Sequence, residues 1–114
     1  MNMKIETAND KMYIYLSGEI DHHSIKEIRE KIDSQIFEIA PKEVYLDLAQ
    51  IDFMDSSGLG LVLGRLRTVK GVSGKLYVQN PNNRINTILQ LAGVDKLIKT
   101  VYTQNNERTE QNER

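Results

Sequence analysis

The spacing of apolar residues along this chain switches repeatedly between two and three-to-four, and that switching limits the fold more than any other feature. Residues 12–17 alternate, with Ile14 and Leu16 on one side and Tyr13 and Tyr15 on the other, as in a half-buried strand. Residues 4–7 make a second run, and Ala8-Asn9-Asp10-Lys11 between the two has hairpin-turn chemistry. The step then lengthens. Ile25, Ile28, Ile32, Ile36 and Ile39 form one helical stripe, with Ser24 and Glu27 at capping-box spacing and Pro41 just past the end. Val44, Leu46 and Leu48 alternate with Tyr45 and Asp47, and this strand runs on through Ile51 and Phe53. Leu59, Val62, Leu63, Leu66 and Val69 return to helical spacing, closed by Gly71 and Gly74. Residues 75–79 (KLYVQ) are a short strand. Asn80-Pro81 opens a third helix, Pro suiting its first turn, with Ile85, Ile88, Leu89 and Ala92 as its stripe and Gly93 at its stop. Residues 97–102 (LIKTVY) read as a last strand.

The predicted order is β-β-α-β-α-β-α-β. Strands separated by helices call for right-handed crossovers. The fold class is therefore α/β: a mixed, mostly parallel sheet with an N-terminal β-hairpin and helices packed against it. The 114 residues are too few for two independent cores, so residues 1–102 are expected to form a single domain. Residues 103–114 (TQNNERTEQNER) have nothing apolar to bury and are expected to be a frayed or disordered polar tail.

Composition narrows the function. Apolar residues make up 39% and the net charge is -1, so one core is feasible and no basic stripe invites nucleic acid or an anionic membrane. There is no Cys, hence no disulfide framework and no thiolate metal site. No apolar run approaches the roughly 18 residues of a membrane span, and the N-terminus lacks a secretory h-region. A cytoplasmic protein, monomeric alone and without cofactor, is the expectation. The only histidines, His22 and His23, are adjacent on one loop and poorly placed to share a metal. Gly58, Gly60 and Gly64 imitate a dinucleotide fingerprint, but the third glycine falls one place late and no acid ends the next strand. Close packing of helix on sheet accounts for them better. No P-loop is present, so the chain itself is not expected to bind ATP.

In an open α/β sheet, function gathers at the carboxyl ends of the strands. Two loops leave such ends: residues 18–24 (GEIDHHS) and 55–60 (DSSGLG). If their strands are neighbours, Asp21, His22 and His23 come near Ser56. Ser57 is the expected N-cap of the following helix, leaving Ser56 outside it with a free hydroxyl. Gly58, lacking a Cβ, would let a partner approach the backbone. A phosphate on Ser56 would sit at a helix N-terminus and add about 1.5 to 2 negative charges to a patch made acidic by Asp21 and Asp55. Asp-Ser-Ser-Gly is also ordinary turn composition. A serine hydrolase using Ser56 with His22 or His23 is a further possibility, although the G-x-S-x-G elbow is absent.

Residues 17–24 (SGEIDHHS) and 53–65 (FMDSSGLGLVLGR) closely resemble the bacterial anti-anti-sigma factors, founding members of the STAS domain family. The Asp-His-His after Gly-Glu-Ile is most similar to the sporulation subgroup, the anti-sigma F factor antagonists. The likeness covers residues 4–102. It implies a mixed sheet with helices packed against it, and a regulator of transcription, not an enzyme. It also implies partner switching. The unphosphorylated protein binds an anti-sigma factor that is a serine kinase, with ATP and magnesium on the kinase's side, and so frees a sigma factor. Phosphorylation of Ser56 ends the binding, and a serine phosphatase restores it. Asp55, Ser57, Gly58 and Leu59 would line the docking surface, joined by Asp21 and His22 from the neighbouring loop. A STAS scaffold or ligand-binding module with an unmodified serine is the alternative within the family. The polar tail and residues 80–84 (NPNNR) depart from the family pattern, outside the motif.

Overall fold

The computed structural model describes residues 2–20 and 22–103. Its elements are β1 (Asn2–Ala8), β2 (Lys11–Ile20), α1 (His22–Ile39), β3 (Glu43–Met54), α2 (Ser56–Gly71), β4 (Lys75–Gln79), α3 (Asn83–Leu91), a 3-10 turn at Val94–Lys96, and β5 (Lys99–Val101). This is the order the periodicity predicts. The first hairpin turns at Asn9 and Asp10, whose φ values of 53° and 69° are left-handed. Asn and Asp tolerate that region well, and a turn of this hand matches the twist of the strands it joins.

The strands lie in the spatial order β1-β2-β3-β4-β5. β1 is antiparallel to β2, and all later pairs are parallel, so the sheet is mixed. Each parallel crossover steps one place in the same direction. Right-handed connections therefore put all three helices over one face. Ile14, Leu16, Val44, Leu46 and Val78 from that face meet Ile32, Ile36, Val62, Ile85 and Leu89 from the helices in one continuous core. The opposite face carries half-buried tyrosines, in keeping with their sequence reading. Tyr13, Tyr45 and Tyr77 stand in register on adjacent strands, with ring centroids 5.0 and 4.9 Å apart and nearly parallel planes. The Tyr45 hydroxyl donates to Glu43 Oε1 at 2.6 Å, and burial with that carboxylate raises its pKa well above the usual phenol value.

A buried polar knot sits where β3, β4 and β5 meet. Asp47 is buried, and its carboxylate accepts from Ala49 N (3.0 Å), Gln79 Nε2 (2.8 Å) and Asn80 Nδ2 (3.2 Å). Asn80 also holds Thr103, just past β5, accepting from Thr103 N (2.8 Å) and donating to Thr103 Oγ1 (3.1 Å). A desolvated carboxylate is tolerable there because its lone pairs are taken.

Several boundaries differ from the sequence expectations. α1 begins at His22, so Ser24 lies within the first turn instead of ahead of it. Capping-box spacing alone cannot place a helix start. α3 begins at Asn83, because the Asn82 carboxamide caps it by accepting from Ile85 N at 2.8 Å. Pro81 therefore precedes the helix, and Asn80 turns the chain at φ 56°. β5 is shorter than residues 97–102, since the turn at Val94–Lys96 consumes the preceding segment. Thr103, the first residue of the expected tail, is hydrogen-bonded to Asn80; residues 104–114, the rest of that tail, lie outside the described residues.

The core stripe of α2 is also rotated from expectation. Its buried residues are Gly58, Leu61, Val62, Arg65, Thr68 and Val69, while Leu59 and Leu66 are half-buried and Leu63 is exposed. Reading only apolar side chains could not have included Arg65. Its Nε lies 2.8 Å from Asp33 Oδ1 on α1, and the Arg65 side chain is 5% exposed. The two atoms are off the line of a strict hydrogen bond, so the contact is chiefly an ion pair. Burial lowers the Arg65 pKa from its ordinary value and Asp33 opposes the shift.

Candidate functional site

The two loops selected from the sequence are neighbours. β2 and β3 pair Glu19 with Phe53 and Ile20 with Met54, so the start of α1 and the start of α2 emerge side by side at one end of the sheet. β3 carries two more residues than β2 over their shared length, and the register shifts there interrupt its alternation. The two one-residue shifts turn Ile51 inward and then cancel, so Met54 is buried and Phe53 is 46% exposed. Simple alternation from Val44 gives the same sides for Phe53 and Met54 but could not have foreseen the burial of Ile51.

α2 starts from Asp55, not from the expected Ser57. Asp55 has extended backbone (φ -105°, ψ -165°), and its Oδ1 accepts from Ser57 N at 2.8 Å and Gly58 N at 3.3 Å. A carboxylate in that position satisfies two first-turn amides and places negative charge at the positive end of the helix dipole. A serine hydroxyl two residues later could accept an amide but would bring no charge. Ser56 is consequently the first helical residue instead of lying outside the helix. It is nevertheless exposed, and among the described residues its hydroxyl has no hydrogen-bond partner. Ser57 and Leu59 are half-buried beside it.

Gly58 does not open the backbone to a partner. It is buried, and a Cβ there would overlap Met54 Cγ and lie 3.1 Å from Ile20 Cγ2. The missing side chain lets α2 sit close against the ends of β2 and β3, and that fixes the height at which Ser56 is presented. Of the three spaced glycines only Gly58 has this packing role, because a Cβ on Gly60 or Gly64 would meet nothing.

His22 and His23 are both exposed on the first turn of α1, with ring centroids 4.2 Å apart. Asp21 lies outside the described residues. Among the described residues no cluster of three or more His, Asp or Glu could hold a metal, and no helix is long and apolar enough to cross a membrane. Leu63 shares the outward face of α2 with Ser56, two turns further on, and is 37% exposed. Phe53 and Leu63 thus give the surface around the serine an apolar component that the sequence reading missed.

Residues 2–108 match the sequence profile of the STAS domain. The chain belongs to the STAS domain family. Its STAS relatives include the anti-sigma F factor antagonist of Lysinibacillus sphaericus, 37% identical over 95 residues, which are 82% of this chain and 81% of that one. Among solved STAS structures, the anti-sigma factor antagonist SpoIIAA in its unphosphorylated form superposes with a TM-score of 0.79 at 32% identity, covering 96% of this chain and 95% of that one. The Bacillus cell fate determinant SpoIIAA in its phosphorylated form gives a TM-score of 0.72 over 96% of this chain and 98% of that one. The STAS fold expected from the two motifs is therefore the fold observed.

Proposed function

We propose that this STAS protein is an anti-sigma factor antagonist switched by phosphorylation of Ser56. The observation that carries the reading is an exposed serine hydroxyl, unbonded among the described residues, on the first residue of α2 and directly after a capping aspartate. In the unphosphorylated state the protein binds an anti-sigma factor that is itself a serine kinase, and a sigma factor is released. The kinase contributes ATP and magnesium; this chain contributes only the acceptor hydroxyl. The docking surface includes Asp55 at the cap of α2, Ser57 and Leu59 on α2, His22 on the first turn of α1 with the Asp21 that precedes it in sequence, and the exposed Phe53 and Leu63. The protein works in the cytoplasm, and the sporulation sigma-F system is the one its relatives and its Asp-His-His motif favour.

Phosphorylation changes the surface far more than the fold. A phosphate at a helix N-terminus is favoured by about 0.3–1 kcal/mol when exposed. It also brings about 1.5 to 2 negative charges next to Asp55. A kinase surface that accommodated a neutral hydroxyl loses its fit, and a serine phosphatase restores it. Calorimetric titration of the anti-sigma kinase provides the test. Ser56→Ala should bind like the wild type and stay bound when ATP is added. Ser56→Glu should bind about 100-fold more weakly, as a like-charge clash of several kcal/mol implies, with an unchanged circular dichroism spectrum. Equal affinity of wild type and Ser56→Glu overturns the switch. Intact mass after incubation with kinase and ATP separates it from an unmodified scaffold, since only the switch gains one phosphate.

A further inference from the structure

We propose that the groove between the C-terminal end of α2 and the beginnings of β4 and β5 is a second docking surface, and that it takes an acidic, partly apolar segment of a partner protein. The groove has a volume of about 320 Å³. Leu66, Leu76 and Leu97 supply its apolar lining, and Lys70, Lys75 and Lys99 supply its only charges. Leu97 stands 63% exposed among these lysines. Of the lysines outside the groove, Lys4, Lys11, Lys31 and Lys42 each have a carboxylate within 4 Å, while Lys26 and Lys96 have none among the described residues. Lys70, Lys75 and Lys99 form no ion pair with any described residue. The groove between β1 and α1 makes a useful contrast, because Glu27, Glu30 and Lys31 give its margin mixed sign and no charge preference.

Three unpaired cations around an apolar floor fit a ligand with carboxylates and hydrophobic side chains together. The lysines attract and orient it, and the leucines reward burial of its apolar groups. A free anion would find no use for the leucines. A nucleic-acid strand would find one face of Tyr77 already stacked on Tyr45 at 4.9 Å, in a chain of net charge -1. Lys75 and Lys99 are the first residues of parallel strands, whereas Ser56 lies two residues past the end of β3. The groove and the serine therefore lie at opposite ends of the sheet, and one partner can occupy each at the same time. This inference is independent of the role proposed for Ser56.

The test is a titration of the isotope-labelled full chain, followed by amide chemical shifts, with the probe peptide acetyl-EELEEFEE-amide. Saturable shifts are expected at Leu66, Lys70, Leu97 and Lys99, with none from Asp55 to Leu59. Affinity should fall by about tenfold or more when Lys70→Glu, Lys75→Glu and Lys99→Glu are combined, and by a similar factor in Leu97→Asp. All four positions line the surface groove, and retained spectral dispersion confirms that the variants fold. The inference is overturned by any of four results: binding of acetyl-EESEESEE-amide within about twofold of the probe, tighter binding of a short oligothymidine, shifts centred on Ser56, or no saturation at about 1 mM probe.

Discussion

Two strand-to-helix junctions sit near one another at the carboxyl end of this sheet, built from similar residues and put to opposite use. At the β3–α2 junction Asp55 caps the helix; at the β4–α3 junction Asn82 does so through Ile85 N, and its Nδ2 donates to Ile51 O at 3.2 Å. Asn80, in the second junction, is buried and fully engaged with Asp47, Thr103 and the Val101 carbonyl. Ser56, in the first, is exposed and engaged with nothing among the described residues. Capping chemistry is therefore common to a structural junction and a presenting one. What separates them is where the polar side chain next to the cap is directed: into a desolvated knot that must be satisfied, or out to where a partner can reach it.

Substitutions can break or sharpen this contrast. Asp47→Ala should have the largest effect. It strands the Gln79 and Asn80 amides in the interior and should cost about 3 kcal/mol, seen as a fall in thermal midpoint of about 10 °C or more. Gly58→Ala should come next, at about 2 kcal/mol in urea unfolding, because the new methyl must displace Met54 from a packed position. It should also weaken kinase binding by shifting α2, a coupling that a purely local role for this glycine would not produce. Asp55→Ala removes the α2 cap and should cost about 1 kcal/mol, whereas Asp55→Asn, still a good cap, should cost less. Smallest of all, Ser56→Ala should change stability by under about 0.5 kcal/mol while abolishing phosphorylation. If Asp47→Ala proved no more costly than Asp55→Ala, the two junctions would be energetically equivalent and the contrast would fail.

Much of the fold was legible because burial leaves a periodic trace. Ile28, Ile32 and Ile36 announced α1, and Val44, Leu46 and Leu48 announced β3, since each set shares one face of its element. The place of Ser56 was legible as well, since a turn composition after a strand marks the carboxyl end of a sheet. Errors arose where a polar side chain did work usually given to an apolar one, or where an amide had a choice of cap. Arg65 occupies a core position through its ion pair with Asp33 on another helix, so the inward face of α2 was read slightly rotated, with Val62 and Val69 rightly buried but Leu63 wrongly included. Asp55 and Ser57 could each have capped α2, and composition does not decide between candidates two residues apart.

The amino-acid order by itself determined the sequence of elements, the single sheet with its hairpin edge, and the position of Ser56 at a strand end. Those features depend on near neighbours in the chain, on hydrophobic period and turn chemistry. Tertiary structure alone decided that Gly58 packs inward, that Leu63 faces outward beside the serine, and that Asp47 gathers Gln79 and Asn80 around it. Each of these depends on the register and separation of elements distant in sequence, and contacts of that kind have no period along the chain from which they could be read.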